Sequence, residues 1–319
     1  MPFFSKAPEV FIDRSRGDAQ AAQLIQAATA GEWRSVEAAL TATTDPLRRE
    51  FLIDGLASDT QDLRWVDQWV RDRAELQTAR VVWGACAVQY AFHIRSGDVP
   101  ENVSAQQWQG FHEWLTHADE QLRHAVAMDP TDAAPWVSML WSAVGLEVPF
   151  DEAERRWDGA RRLHPHTELG ALAYTTYISP RWHGSEEMLW RFVKGLVSNE
   201  PEGSPRWTLV PTAHFEQWAA DRMSGNARVH ESRYFQQPHV QSEINEAYSH
   251  YLGSAERKAS PLEPQYRGTF AVAFYLMGAR EALRREMEVI GPGIQRLPWG
   301  YVGGAGRTYK LVRESAGLR

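Results

Sequence analysis

Apolar residues recur along most of this chain at the spacing of a helix face, and prolines interrupt the pattern. The segment LRHAVAMDPTDAAPW shows one interruption, where Asp129-Pro130 ends a helix and another begins within a few residues. Proline has no N–H to continue a helix, and it biases the residue before it away from helical geometry. Thr131 or Asp132 is expected to cap the second helix, with Trp136 about one turn inside it. The pattern therefore predicts helices paired by short turns.

Two of the prolines follow the same order of small and large residues. The positions 5, 8 and 12 before Pro130 and Pro165 share this order, and they hold Ala125, Leu122 and Ala118, then Ala160, Trp157 and Ala153. Small residues let two helices approach closely, and the large residue between them fills the gap. A third copy, which has lost part of this order, ends at Pro201 and comprises Gly195, Phe192 and Met188.

This spacing resembles the tetratricopeptide repeat (TPR), a helix–turn–helix unit of about 34 residues that ends in a proline. The order of motifs after about residue 60 is also similar to that of uncharacterised TPR-like proteins of actinobacteria. The motifs that carry this similarity are AMDPTDAAPW, PRWHGSEEMLWRF, VPTAHFEQW, YFQQP and LPWGY. The resemblance implies a right-handed stack of antiparallel helical hairpins, a TPR-like α-solenoid, in the cytoplasm. It transfers no catalytic residue.

Almost no segment alternates apolar and polar residues as a strand does, so the chain is predicted to be all-α. We expect one helical-repeat domain over residues 1–319. Within it, residues 1–60 are expected to form capping helices and residues 61–223 the clearest repeats. Residues 224–319 are expected to form divergent helices.

Four local breaks in the helical pattern are expected. A stop at Asp45-Pro46 ends a helix near the N-terminus, and Gly278 separates two helices near the C-terminus. An insertion begins at Val99, and an irregular connection begins at Ser224.

Charge and composition narrow the class of partner. Lysine and arginine total 34 against 41 for aspartate and glutamate, so the net charge is −7 and nucleic-acid binding is not expected. The chain has no run of about 18 apolar residues and no signal-peptide core, so we expect a cytoplasmic protein that does not bind membranes. The single cysteine, Cys86, is expected to be a small buried residue in a reducing compartment.

Two sets of histidine and carboxylate residues suggest metal binding, but helix geometry argues against it in both. His214 and Glu216 are two residues apart on a predicted helix, so they point about 200° apart and cannot share an ion. One of them can instead face a groove and hydrogen-bond a ligand. The second set forms one stripe of a predicted helix and comprises Glu113, His117, Glu120 and His124. A metal site of this kind needs a matching stripe on a neighbouring helix, and none is found, so we expect a solvated face. We predict no metal and no cofactor.

The segment PRWHGSEEMLWRF has the clearest local design. Pro180 ends a helix, Gly184 permits the turn, and Ser185 caps the helix that follows. Helix formation gives no reason for Trp182 and His183 to occupy this turn, so both are candidate ligand contacts.

No catalytic constellation can be recognised. The segment GYVGGAGRT lacks the Gly-x-x-x-x-Gly-Lys-Ser/Thr spacing of a phosphate-binding loop and has no strand before it, so a turn-rich segment is expected. The chain also lacks a Gly-x-Ser-x-Gly elbow and zinc-type cysteine spacing. His164, at the end of a repeat, is expected to contact the last carbonyls of its helix.

The leading hypothesis is a binding scaffold that holds a peptide or protein segment in a concave groove. Its face is expected to mix apolar and hydroxyl side chains, namely Val88, Gln89, Val137, Trp141, Leu172, Thr176, Thr208, Thr212 and Glu216. A phosphate-rich or strongly acidic ligand is therefore not favoured. The alternative is a small-molecule-binding protein or enzyme with a site enclosed in the helical array. Its aromatic walls would be Trp141, Tyr174 and Trp182, and its polar anchors His214, Glu216 or Arg95.

Overall fold

The computed structural model of the chain describes residues 9–58, 60–97, 102–223 and 233–318. The regular secondary structure in these ranges is almost entirely helical, which confirms the prediction of an all-α protein. The exception is a parallel pair of two-residue strands, β1 (Phe11–Ile12) and β2 (Gly293–Ile294). Within the same ranges, no helix is both long enough and apolar enough to cross a membrane.

Backbone contacts divide the described chain into two compact units. The first unit comprises Asp18–Ile178 and Trp182–Gly184, and the second comprises the residues up to Gly17, Ser179–Arg181 and the residues from Ser185 onward. The expected organisation as one domain with three sections stays a prediction. The insertion expected from Val99 and the connection expected from Ser224 begin outside the described residues.

The described part of the first unit is built from helices. These are α1 (Ala19–Thr29), α2 (Trp33–Ala42), α3 (Pro46–Ala57), α4 (Arg64–Asp72), α5 (Gln77–Arg95), α6 (Ala105–Met128), α7 (Ala134–Leu146), α8 (Phe150–Leu163) and α9 (Glu168–Tyr177). A capping box begins α6: the Ser104 hydroxyl accepts the Gln107 backbone N–H, and the Gln107 side chain accepts the Ser104 N–H. Helices α5 and α6 pack along each other as a pair.

The prolines mark helix ends largely as the sequence predicts. Helix α6 ends before Pro130 and α8 before Pro165. Asp132 accepts the Ala134 N–H at 3.0 Å, so it satisfies one free donor at the start of α7. The expected stop at Asp45-Pro46 is wrong, because Asp45 caps the start of α3 and Pro46 is its first residue. Proline is favoured there since the first N–H of a helix has no helical partner.

The small residues of the repeat pattern lie where helices approach each other closely. All six residues identified before Pro130 and Pro165 are buried. A Cβ at Gly84 on α5 would lie 2.5 Å from Leu122 of α6, and a Cβ at Gly159 on α8 would lie 2.5 Å from the ring of Trp136. Large side chains therefore occupy the space that the glycines leave, and these helices could not pack as closely with alanine there.

A buried ion pair links α6, α7 and α8. The Arg156 side chain is fully buried, and its Nη1 lies 2.7 Å from Asp119 Oδ1. The same nitrogen donates to the Met139 carbonyl at 2.6 Å, and Ser142 donates to Asp119 at 2.7 Å. A guanidinium can be buried only when its charge and its donors are satisfied, so these contacts fix the three helices together.

The second unit contains α10 (Glu186–Val197), α11 (Leu209–Met223), α12 (Pro238–His250), α13 (Glu263–Met277), α14 (Arg280–Val289) and α15 (Ala305–Ser315). Short 3₁₀ turns cover Pro205–Thr208, Tyr234–Gln236 and Trp299–Tyr301. Ser185 caps α10 by accepting the Met188 N–H, as predicted. Gly278 ends α13 with a φ of 76°, the left-handed conformation that glycine adopts at a helix end.

Two expectations for the second unit are wrong. Helix α10 buries Leu189, Val193 and Val197, whereas Gly195 of the proposed third copy is exposed. The repeat register has slipped by one residue there, because Pro201 follows Pro165 by 36 residues rather than 35. The segment GYVGGAGRT is also only partly a turn, since α15 begins at its Ala305.

Two matched glycine substitutions test the close packing of α8. Gly159→Ala is expected to lower the free energy of unfolding by about 1 kcal/mol or more, because overpacking outweighs the gain in helix propensity. Gly195→Ala places a Cβ with no neighbour within 4 Å among the described residues, so it is expected to stabilise by about 0.5–1 kcal/mol. Thermal unfolding of both variants should give shifts of opposite sign. Equal shifts would show that Trp136 does not press on Gly159.

Two arginine substitutions test the buried ion pair. Arg156→Gln is expected to cost about 3–5 kcal/mol, because it leaves the buried Asp119 without its main counter-charge. Arg123 also contacts Asp119, at 2.8 Å, but its side chain is 46% exposed. Arg123→Gln is therefore expected to cost less than about 1 kcal/mol. Urea unfolding measures both, and similar losses would contradict the special role of Arg156.

Candidate functional site

The structure brings together the part of the predicted groove that lies on α5 and α7. Val88 and Gln89 of α5 and Val137 and Trp141 of α7 line one cavity in the first unit, together with Glu50 of α3. Its volume is about 30 Å³, which is the space of about one water molecule. The sequence thus places these residues correctly beside each other, but the cavity is too small for a ligand.

Three other candidates in the first unit are engaged in packing. The Arg95 guanidinium stacks 5.0 Å from the centre of the Trp108 ring. Trp182 meets Phe92 edge to face at 6.5 Å, and His183 Nε2 donates to the Val144 carbonyl at 2.6 Å. These contacts provide the structural reason for a tryptophan and a histidine in the turn.

The turn itself and its neighbours also have structural explanations. A Cβ at Gly184 would lie 1.9 Å from the Ile178 carbonyl oxygen, so only glycine fits. The Thr176 hydroxyl donates to the Leu172 carbonyl at 3.1 Å, one turn back on its own helix. Thr212 in the second unit does the same with the Thr208 carbonyl at 2.8 Å.

His164 has a different partner from the one expected. Its Nδ1 lies 2.7 Å from a carboxylate oxygen of Glu50, and the Thr167 hydroxyl donates to the other oxygen at 2.8 Å. Burial raises the pKa of Glu50, although its contact with His164 opposes the shift. His164 therefore compensates a buried carboxylate instead of helix-end carbonyls.

His214 and Glu216 lie on α11 and face different groups. Glu216 is buried and accepts hydrogen bonds from Arg181 Nη2 at 3.0 Å and from the Ser179 hydroxyl at 3.1 Å. Arg181 Nε also lies 2.9 Å from the same carboxylate as part of the ion pair. Glu216 also accepts from the Tyr301 hydroxyl, and burial together with this carboxylate raises the pKa of Tyr301. Glu216 is thus part of the packing and does not act as a polar anchor of an open groove.

The second unit contains an open cleft of about 730 Å³ between α10, α11 and α12. This volume lies within the range of small-molecule sites, about 300–1,000 Å³. The residues that line the cleft, here called the α10–α12 cleft, are Glu186, Glu187, Trp190, Lys194, His214, Gln217, Asp221, Tyr234, Gln237, His239 and Glu243. Among the candidates from the sequence, His214 is the one that faces it.

A polar network joins the walls of this cleft. His214 Nε2 lies 3.1 Å from Glu243 Oε2, and His214 Nδ1 lies 2.9 Å from the Tyr234 hydroxyl. Because a carboxylate can only accept, Nε2 of the neutral ring carries the proton. The Tyr234 hydroxyl has one proton to donate and lies within reach of two acceptors, His214 Nδ1 and Gln217 Oε1, the latter at 3.2 Å. Gln217 accepts the indole N–H of Trp190 at 2.8 Å. The Trp190 ring also packs edge to face against His214 at 4.6 Å.

The contact between His214 and Glu243 is close but poorly directed. Nε2 makes no well-aligned hydrogen bond within the described ranges, although the side chain is only 1% exposed. This nitrogen is therefore available to a ligand that enters the cleft. The other ring nitrogen, Nδ1, already has a hydrogen-bond partner in the Tyr234 hydroxyl.

Burial and charge set the protonation states in the cleft. Burial lowers the pKa of His214, which outweighs the opposite effect of Glu243, so the imidazole is neutral. The close contacts with His214 and with Lys194 lower the pKa of Glu243 to about 2. Burial raises the pKa of Tyr234 well above its usual value, so its hydroxyl stays protonated. The network can bind and orient a ligand, but Tyr234 cannot supply a ready nucleophile.

The other candidate metal ligands lie on the surface. Glu113, His117, Glu120 and His124 are all exposed on α6, as a solvated face predicts. Across the residues that the structure describes, no three His, Cys, Asp or Glu side chains are grouped to hold a metal ion.

The sequence analysis missed most of the α10–α12 cleft. Trp190 and Lys194 are one turn apart on α10, which is a recognisable pairing of an aromatic ring and a cation. Their acidic partner Glu243 lies 49 residues further along the chain than Lys194, and no local signal connects the two. Only the packing of α12 against α11 brings Glu243 to this site.

Comparison of the chain with protein-family models, with curated proteins and with solved structures finds no match.

The buried imidazole predicts a specific pH dependence of stability. A histidine whose pKa is lowered by folding contributes stability above its unfolded pKa of about 6.5, and the contribution is lost as the pH falls below that value. The melting temperature of the wild type should therefore decrease as the pH is lowered from about 7.5 to 5. The melting temperature of His214→Gln should decrease less over the same range. The exposed His117→Gln variant is the control and should follow the wild type. Parallel curves for all three proteins would contradict a neutral, buried His214.

Proposed function

We propose that this chain is a helical-repeat binding protein whose main ligand site is the α10–α12 cleft. The observation that carries this proposal is the cleft itself, with about 730 Å³ of space and a wall of Trp190 and Tyr234. Ligand sites typically combine apolar or aromatic walls with a few polar groups that fix orientation. Here His214 and Glu243 provide such groups. The ligand is a compact molecule or one projecting side chain of a larger partner.

The repeat architecture belongs to the same proposal. Helix ends before Pro130 and Pro165, together with buried small and large residues at matching positions, support TPR-like hairpins over residues 118–165. Glycine at close helix approaches, as at Gly84, supports the same arrangement. We propose that the hairpins stack as a right-handed α-solenoid and serve to hold binding surfaces in place.

A second candidate is a peptide or protein segment bound along α5 and α7. The observation that favours it is the clustering of Val88, Gln89, Val137 and Trp141 around one small cavity, as the groove hypothesis expects. Trp141 is only partly buried, while Trp136 is 9% exposed. The space available there suits the tip of one side chain at most, which makes this the weaker candidate.

Two tryptophan substitutions distinguish the candidates. Ligand-observed NMR with mixed fragments of positive, neutral and negative charge identifies compounds that bind the wild type. Trp190→Ala is expected to weaken their binding at least about tenfold, because aromatic side chains dominate such sites. Trp141→Ala should leave it unchanged. Circular dichroism checks that both variants fold, and loss of binding only in Trp141→Ala would favour the α5–α7 surface.

A further inference from the structure

We infer that the α10–α12 cleft binds an organic ammonium group, and that Lys194 occupies this position when no ligand is bound. The inference rests on the proposed function, because it names the ligand class of the same cleft. Four carboxylates line the cleft against a single lysine, and they are Glu186, Glu187, Asp221 and Glu243. A cleft lined mainly by one sign of charge concentrates ligands of the opposite sign.

The lysine of the protein marks where a cation is stabilised. Lys194 Nζ lies 5.1 Å from the centre of the Trp190 ring and 2.8 Å from Glu243 Oε1. A cation over the face of tryptophan is attracted by the ring quadrupole, and a carboxylate beside it adds a direct charge interaction. Trp190 and Glu243 thus form two sides of an ammonium site.

The contacts of Lys194 are of a kind that a ligand can replace. Its side chain is 60% exposed and that of Glu243 is 28% exposed. Ion pairs with this exposure contribute little to stability, and release returns rotamer freedom to a long side chain. A ligand ammonium with apolar substituents would also cover the part of the Trp190 ring that is exposed.

His214 keeps the site receptive to a cation. Because its buried imidazole is neutral, it does not add a second positive charge beside Glu243. Its poorly directed Nε2–H is available to a hydroxyl or carbonyl of the ligand. Trp190 is held in place by its own hydrogen bond to Gln217, so the ring face stays turned toward the site.

Three probes of one shape and different charge test this inference. Choline carries a quaternary ammonium, 3,3-dimethylbutan-1-ol has the same shape without charge, and 3,3-dimethylbutanoate is the anionic counterpart. Titration of the full chain, followed by calorimetry or ligand-observed NMR, is expected to show choline binding with a Kd of about 10 mM or tighter. Binding of the neutral and anionic probes is expected to be at least about tenfold weaker.

Two charge-neutralising variants are expected to change the affinity for choline in opposite directions. Lys194→Gln is expected to tighten choline binding about three- to tenfold, because it removes the competing ammonium and frees Glu243. Glu243→Gln is expected to weaken it at least about tenfold. Glu246→Gln, which neutralises a 63% exposed carboxylate on the same helix, is the matched control and should bind like the wild type.

Several outcomes would overturn the inference. These are no choline binding, equal binding of all three probes, or weaker choline binding in Lys194→Gln. If the neutral or anionic probe binds best and Trp190→Ala abolishes that binding, the cleft is still a ligand site and only the ammonium assignment fails. If no fragment or probe depends on Trp190, the proposed function fails as well.

Discussion

The helices of this protein bury several charged side chains, and each of these has an oppositely charged or hydrogen-bonding partner. An unpaired charge in a protein interior costs several kcal/mol, so such contacts restrict how the helices can be arranged. In the first unit, Arg156 is fully buried against Asp119, and Glu50 lies against His164 and Thr167. The close helix contacts at Gly84 and Gly159 and these buried pairs require the same arrangement of helices, because a small shift of one helix would separate the paired groups.

In the second unit, buried charged side chains are also paired with partners. Glu216 is held by Arg181, while Glu286 is 2% exposed and lies 2.9 Å from Arg267. Such pairs give little net stability compared with apolar side chains of the same size, but breaking one is costly. Their main effect is therefore to specify one packing of the helices. Charge alone did not distinguish Arg156 or Glu216 from surface residues, because burial depends on contacts made far along the chain.

Local signals predicted what depends on local structure. Pro130, Pro165, Gly278 and Ser185 act through their own backbone or side chain within one turn, so their positions were read correctly from the sequence. Asp45-Pro46 was misread because the same dipeptide suits the end of one helix and the start of the next. The cleft was missed for a different reason. Its parts come from three helices, and only their packing determines which side chains meet.

The contrast between Glu216 and Glu243 explains why we propose a ligand site at the cleft and not beside Glu216. Both carboxylates accept from a cationic side chain, but Glu216 is 1% exposed and takes two nitrogens of Arg181, so its partner is fixed. Glu243 is 28% exposed and its partner is a flexible lysine, so the partner can be exchanged. Residues two apart on a helix point in nearly opposite directions, so α11 places Glu216 in the packing and His214 at the cleft. One helix thus supplies both a fixed pair that positions it and an imidazole that supports the exchangeable pair.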